Sequence, residues 1–208
     1  MTDHKAAHWQ TVYQTRASTS VSWFRPHLDV SLELLKHAGL NIQSRIIDVG
    51  AGASTLVDDL LSFGVQHIAV MDISAASLDI AKQRLGEHAN RVEWIVDDVV
   101  QHVFAPSSVD IWHDRAVLHF LTARRDATSY VAQVLRAVVE GGYVIIGCFA
   151  SDGPEMCSSL PVQRREPEEV AALFGSSFEL IEQRHEMHTT PAGNPQSFAY
   201  TVLRKLCT

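Results

Sequence analysis

The sequence predicts an α/β fold: a doubly wound, mostly parallel seven-stranded sheet closed by an antiparallel C-terminal hairpin. Three observations carry this reading. A short apolar run, Arg45 to Val49, leads into the glycine turn Gly50-Ala51-Gly52 and then into a helical pattern. Apolar strands and helical segments alternate from there to Cys148, the pattern of βαβ units. The tail then changes to two alternating runs joined by Pro191-Ala192-Gly193-Asn194-Pro195, which reads as a hairpin.

Each element has a local reason. His4 to Gln14 forms a helix, and Arg16 to Phe24 is a polar connector carrying Trp23 and Phe24. Pro26 to Ala38 is helical: proline suits the first turn, Leu28, Leu32 and Leu35 recur at helical spacing, and Gly39 stops it. Strand one is Arg45 to Val49, and the helix Ser54 to Phe63 ends at Gly64. The second strand runs from His67 to Asp72, and Ser74 caps a helix reaching Ala89. Arg91 to Val96 and Val109 to His113 are strands three and four. A helix from Arg124 to Val139 leads to strand five, Tyr143 to Cys148. Pro167 to Phe174 is a short helix, and Phe178 to His188 and Gln196 to Lys205 are the hairpin strands.

A chain of 208 residues fits a single α/β domain with a sizeable core. Hydrophobic residues make up 46% and charged residues 20%, which separates it from disordered chains. A net charge of −7 argues against a nucleic-acid partner, which calls for a basic face, and suits a small molecule or a basic protein patch. No apolar run approaches the ~18 residues that span a bilayer, and the polar start, Met1 to His8, shows no secretory signal. Cys148, Cys157 and Cys207 are odd in number and lack paired spacing, so a reducing, cytoplasmic setting is expected.

The glycine turn is where chemistry enters. Gly50 and Gly52 can take backbone angles closed to other residues, so the chain can pass close to a ligand. The helix that follows offers unpaired N–H groups to a carboxylate or phosphate. Asp72, twenty residues after Gly52, suits a carboxylate gripping two ribose hydroxyls. This is a nucleoside site. A dinucleotide fingerprint would place a third glycine at position 55, where this chain has Thr55, and does not call for Asp48 ahead of the turn. An acid there favours a cationic ligand.

Asp48-Val49-Gly50-Ala51-Gly52 resembles the first motif of class I S-adenosylmethionine-dependent methyltransferases. The resemblance continues through Asp72, through Val92 to Val99 as the adenine-side strand end, through Val109 to Arg115 as the fourth strand, and through Glu140 to Ile146 as the Gly-Gly turn into the fifth. It covers about residues 40–150 and implies a Rossmann-like sheet with S-adenosyl-L-methionine as cofactor and S-adenosyl-L-homocysteine as product. Under it, Asp48, Gly50 and Gly52 lie beside the methionine moiety, Asp72 binds the ribose and Ile73 packs on the adenine. Asp98 with Val99 addresses the adenine edge, Asp97 being the alternative to Asp98.

His113, Asp114, Arg115 and His119 follow the fourth strand, where ligands gather in such sheets. His113 is a candidate base or cofactor wall, Asp114 holds an amine or orients a partner, and His119 is a third catalytic candidate. The plainer reading makes His113 a strand cap and Asp114–Arg115 an ion pair. Protein lysine methyltransferases with an acid-Lys-Gly triplet at this point are similar, although the triplet here is Asp114-Arg115-Ala116. The opening, His8 to Tyr13 and Val21 to Pro26, resembles the same enzymes. It implies that residues 1–25 form a lid whose Trp9, Tyr13, Trp23 and Phe24 close over the cofactor, with 40–150 as the core and 151–208 on the substrate side. Aromatic walls also attract cations.

No metal is expected. His185 and His188 are three apart on a strand and so face opposite ways, His4 and His8 sit at a terminus, and no zinc spacing occurs. Cys157 alone suggests at most a seat for a soft metalloid. The expected function is methyl transfer to an oxygen, nitrogen or sulfur nucleophile of a small molecule. The alternatives are a protein lysine methyltransferase and, from another class, a non-catalytic nucleoside-binding partner subunit.

Overall fold

The computed structural model describes residues 2–207, with side chains from His4 onward. Helix α1 (Thr2–Thr15) and α2 (Asp29–His37) precede β1 (Arg45–Val49). Then come α3 (Leu56–Phe63), β2 (His67–Asp72), α4 (Ala75–Leu85), β3 (Val92–Val96) and β4 (Val109–Arg115). They are followed by α5 (Arg124–Ala137), β5 (Val138–Phe149), the two-residue strands β6 (Met156–Cys157) and β7 (Leu160–Pro161), and α6 (Pro167–Phe174). The tail is β8 (Phe178–Thr189) and β9 (Pro195–Lys205).

Seven strands form one sheet in the order β3-β2-β1-β4-β5-β9-β8. The first five are parallel, β9 runs antiparallel to β5, and β8 runs antiparallel to β9. The chain moves outward from β1 to one side through β2 and β3, then returns to β1's other side with β4. That reversal opens a crevice beyond the carboxyl ends of β1 and β4. Both sheet faces are covered, which is why the strands read as nearly continuous apolar runs. Ile46 and Ile68 enter a core with Leu34 and Leu35 of α2 and Leu56 and Leu60 of α3. Ile47 and Val49 enter the opposite core with Tyr130 and Val134 of α5 and Val170 and Phe174 of α6.

Two boundaries follow the local chemistry foreseen: Gly64 ends α3 at φ 93°, and Ser74 caps α4 by accepting from Ser77 N. Glu166 with Glu169 forms a capping box ahead of α6, which was not foreseen. Others differ. The second helix begins at Asp29 and not at Pro26, because Leu28 keeps a non-helical backbone (φ −93°, ψ 67°); ahead of it Arg25 Nε donates to the His27 carbonyl and Nη2 to Asp29. The fourth helix stops at Leu85, where Gly86 takes φ 56° and a tighter turn runs to Arg91. Strand β5 starts at Val138, five residues early, with Gly141-Gly142 carried as an irregularity between the Val109↔Val138 and Ile111↔Tyr143 pairs. A Cβ at Gly142 would lie 2.8 Å from the Asp110 carbonyl. The β6–β7 hairpin was not foreseen, because its turn uses Ser158 (φ 49°) and Ser159 (φ 63°), where glycine or asparagine is the usual signal.

A polar strut crosses the second core. Trp112 Nε1 donates to Tyr130 Oη at 2.9 Å, and Tyr130 Oη donates to Asp114 Oδ2 at 2.7 Å, all three residues being buried. Tyr130→Phe leaves the indole N–H unpaired in an apolar setting. The expected cost is about 1–3 kcal/mol of unfolding free energy, read as a lower urea midpoint at unchanged slope. An unchanged midpoint would show that the strut contributes nothing.

Candidate functional site

The crevice is built from bare backbone. Gly50 and Gly52, just past β1, both have positive φ (60° and 58°). A Cβ at Gly50 would lie 1.8 Å from Val117 Cγ2, and one at Gly52 would lie 2.0 Å from Tyr13 Oη. The glycines are therefore required twice, by angle and by space. Asp72, at the end of β2, locks the turn: Oδ2 accepts from Gly52 N and Oδ1 from Ser74 N, each at 2.8 Å. Burial pushes its carboxyl up to about 6, against the pull of those donors.

A cavity of about 120 Å³ lies over this turn. One half is lined by Met71, Asp72, Ile73, Asp97, Asp98 and Val99 from the ends of β2 and β3. The other half is walled by Trp9, Tyr13, Trp23, Phe120, Phe149, Phe198, Cys157 and Arg115. A smaller cavity of about 40 Å³ continues past Gly50 and takes in Asp48, His113, Phe24, Ser54 and Thr55. Tyr13, Trp23, Gly50 and Arg115 border both. The residues expected at a nucleoside site thus gather about the turn, although Gly52 lines neither cavity, and Phe24 lines the smaller cavity with Tyr13 and Trp23 while Trp9 lines the larger.

Helix α1 is pinned across the mouth. Gln10 Oε1 accepts from Ser74 Oγ at 3.0 Å and from Ala76 N at 3.1 Å, satisfying the start of α4. Trp9 meets Trp23 edge-on at 5.7 Å and Phe120 at 5.2 Å. Gln10 was missed in the sequence, where nothing distinguishes it from a solvent-facing glutamine between two aromatic positions.

The catalytic candidates after β4 are placed differently from expectation. His113 is buried with both nitrogens engaged: Nδ1 lies 2.7 Å from Asp48 Oδ1 and Nε2 lies 2.9 Å from Ser31 Oγ. An ionised carboxylate can only accept, so Nδ1 presents a proton to Asp48, while Nε2 pairs with the serine hydroxyl. The ring is a strut for Asp48, whose Oδ2 is buried without a partner among the described residues. Asp114 is spent on the chain itself: Oδ1 accepts from Val117 N, and Oδ2 from Leu118 N and Tyr130 Oη. Burial nevertheless pushes it up to about 6. It does not pair with Arg115, because neighbours on a strand point to opposite faces. His119 lies between Phe120 and Phe149, at 4.3 and 4.7 Å, and outside the residues lining either cavity. Burial, then Arg165 and Arg115, push it down to about 3, so its ring is neutral.

Arg115 turns into the crevice instead. Its Nε donates to Tyr200 Oη at 3.0 Å, Nη1 donates to the Trp23 carbonyl at 3.1 Å, and the guanidinium lies 4.5 Å from the Phe198 ring centre. Its Nη2 is buried with no hydrogen-bond partner among the described residues. Cys157, presented by the β6–β7 hairpin, is buried in the wall, and burial pushes its thiol up to about 11.

At the adenine-side acids, Asp97 is occupied: Oδ1 accepts from Asp98 N and Oδ2 meets His102 Nδ1, each at 2.8 Å. Asp98 is half-buried, with Oδ1 accepting from Val100 N. Among the described residues no three His, Cys, Asp or Glu side chains cluster as a metal site, and no helix is long and apolar enough to cross a membrane.

Comparison with known proteins agrees with this geometry. Residues 46–142 match the family model described as a methyltransferase domain. A mouse protein, the eEF1A lysine and N-terminal methyltransferase, is 26% identical over 141 residues, covering 67% of this chain and 20% of its own length. The biotin biosynthesis bifunctional protein BioHC of Cellvibrio japonicus is 29% identical over 94 residues, covering 45% and 18%. The chain thus spans about a fifth of the length of the curated relatives it matches. Among solved structures, Burkholderia thailandensis 1,6-didemethyltoxoflavin-N1-methyltransferase, bound to S-adenosylhomocysteine, superposes with a TM-score of 0.69 at 19% identity, covering 100% of this chain and 91% of that one. A structure described for the conversion of a disulfide bond into a thioacetal group during echinomycin biosynthesis gives 0.78 at 16% identity, covering 98% and 94%.

The turn makes a separable prediction. Gly50→Ala puts a methyl into Val117 and holds alanine at positive φ, so the variant should lose stability. Adding Val117→Ala should recover the steric part and leave about 1–2 kcal/mol of backbone cost. Equal melting temperatures for the single and double variants would show that Val117 is not what the glycine accommodates.

Proposed function

We propose that this chain, a class I S-adenosylmethionine-dependent methyltransferase, methylates an oxygen, nitrogen or sulfur nucleophile of a small molecule. When bound, S-adenosylmethionine supplies a methyl carbon on a sulfonium; the acceptor's lone pair makes the new bond, and the old C–S pair stays on sulfur. The residues present fit that cofactor. Asp72 would hold the ribose, Ile73 would pack on the adenine, and Asp98 with Val99 would meet its polar edge. Gly50, Gly52 and the open Oδ2 of Asp48 would receive the methionine end, where a cationic ammonium suits a buried, unpartnered carboxylate oxygen.

The observation that carries the small-molecule reading is the roof. Helix α1 and the aromatic segment stand over the acceptor half of the cavity, with Gln10 fixed to α4. Enclosure of this kind aligns two small reactants and keeps water out. We assign residues 1–25 to that lid, on a single domain formed with residues 40–150 and 151–208. The protein lysine reading draws on the mouse relative. It needs an acid near the acceptor, and the Asp114 that suggested one is occupied by Val117, Leu118 and Tyr130.

Incubation with tritiated S-adenosylmethionine and a cell lysate, followed by separation of small molecules from protein, tests the assignment. Label is expected in the small-molecule fraction, and label confined to protein would overturn it. Asp72 gives a second test. Its folded carboxyl lies near 6, so the ionised acceptor of the ribose hydroxyls is present above that pH and is lost as pH falls through it. Affinity for S-adenosylhomocysteine should therefore weaken from pH 7.5 to 5. Asp72→Asn should flatten the profile and bind about tenfold or more weakly at pH 7.5. Titration calorimetry with superimposable profiles would place the ribose elsewhere.

A further inference from the structure

We infer that the methyl acceptor is an apolar molecule whose nucleophilic atom enters the cavity as an anion, a thiolate or a carboxylate, held by the guanidinium of Arg115. The inference rests on the methyltransferase reading and narrows its substrate class.

The first support is charge. Two cations line the cavity: Lys5, which is paired with Asp126 at 3.4 Å, and Arg115, whose bonded donors end on neutral oxygens, Tyr200 Oη and the Trp23 carbonyl. The carboxylate that Tyr200 leads to is Glu186, which accepts from Tyr200 Oη through Oε2. Its Oε1 is already paired with Arg25. Arg25's other partner, Asp29, is 66% exposed and screened by water. Two guanidinia therefore share one buried carboxylate, and Arg115 Nη2 is left without a partner. An uncompensated charge and an unspent donor among apolar rings are costly, and an incoming anion offsets both. An ammonium group at the same place would meet repulsion.

The second support is the fate of the acceptor's proton. Asp72, Asp97 and Asp98 line the nucleoside half, the first two already engaged. His113 has both nitrogens bonded, and His119 lies outside the lining residues. Burial raises the Tyr13 phenol and the Cys157 thiol, so neither is a ready proton acceptor. An alcohol or a protonated amine would need such a group, whereas a thiolate or carboxylate arrives without a proton to lose. As its lone pair takes the methyl, its negative charge and the sulfonium's positive charge cancel, and no proton is released. An apolar, water-excluding wall favours a step in which charge disappears.

The test uses the full chain saturated with S-adenosylhomocysteine and calorimetric titration with four probes: 4-nitrothiophenolate, benzoate, benzyl alcohol and benzylammonium. At least one anion should bind about tenfold or more tighter than benzyl alcohol and benzylammonium, and the stronger of the two identifies thiolate or carboxylate. Arg115→Met should abolish the preference, and Arg115→Lys should restore part of it. Affinity for S-adenosylhomocysteine should change less than threefold in both variants. Equal or tighter binding of benzylammonium, no binding of any probe at millimolar concentration, or a preference that survives Arg115→Met would overturn the inference. A tenfold loss of S-adenosylhomocysteine affinity in Arg115→Met would also overturn it, by assigning the guanidinium to the cofactor's carboxylate. If Arg115→Met fails to fold, persistence or loss of the anion preference in Arg115→Lys and in Tyr200→Phe, which removes the neutral partner of Nε, decides the question. Failure of the parent protein to bind S-adenosylhomocysteine would instead strike the methyltransferase reading itself.

Discussion

Two side chains resting on bare backbone set the geometry of the whole crevice. Val117 and Tyr13 occupy the space where Gly50 and Gly52 would carry a Cβ. Val117 brings the turn after β4 down onto the end of β1, and Tyr13 brings α1 over it. Each contact has its own anchor. Asp114 Oδ1 accepts from Val117 N, and Gln10, one turn from Tyr13 on α1, joins α1 to the start of α4. Adding a Cβ at either glycine would push on one of these walls directly.

Three buried acids end neighbouring strands, and their surroundings divide the tasks between them. Asp48 leans on His113, borders the smaller cavity and keeps one buried oxygen without a partner among the described residues. Asp72 ties the glycine turn to the α4 cap while bordering the nucleoside half. Asp114 faces away and fastens the Val117–Leu118 turn to α5 through Tyr130. The same residue type thus serves as an open acceptor, a latch and a structural tie. What remains for catalysis is alignment and exclusion of water, which suits a reagent carrying its own leaving group.

The parts of the site legible in the sequence are those fixed by short-range spacing. Gly50, Gly52 and Asp72 declare themselves because a strand, a tight turn and a second strand end must follow at set intervals. The strand and helix order was legible for the same reason, as each element carries its own period and stop. What was not legible depends on distant partners. His113 looks like a base until Ser31, 82 residues away in sequence, is seen on its other nitrogen. Asp114 looks free until Tyr130 arrives from α5. The opposed directions of Asp114 and Arg115 were readable from the two-residue period of a strand, a signal that outranks the attraction of adjacent opposite charges. The β6–β7 hairpin stayed hidden because serines hold the positive-φ positions that glycine normally advertises.

The last strand of the sheet bears on how such a chain keeps to itself. β8 is twelve residues long and has β9 as its sheet neighbour, leaving a row of backbone donors and acceptors on its outer side. Ile181 and Met187 are 46% and 61% exposed along it, the raw material of edge-to-edge polymerisation. Against that, the pairing with β9 slips at Leu180/Glu182, which bends the edge, and Glu179, Glu182 and Arg184 stud it with charge. A second sheet attempting to dock would have to bury those charges and match a kinked ladder. Smoothing the slip and neutralising Glu182 and Arg184 would turn a solvent-facing margin into a template for fibres.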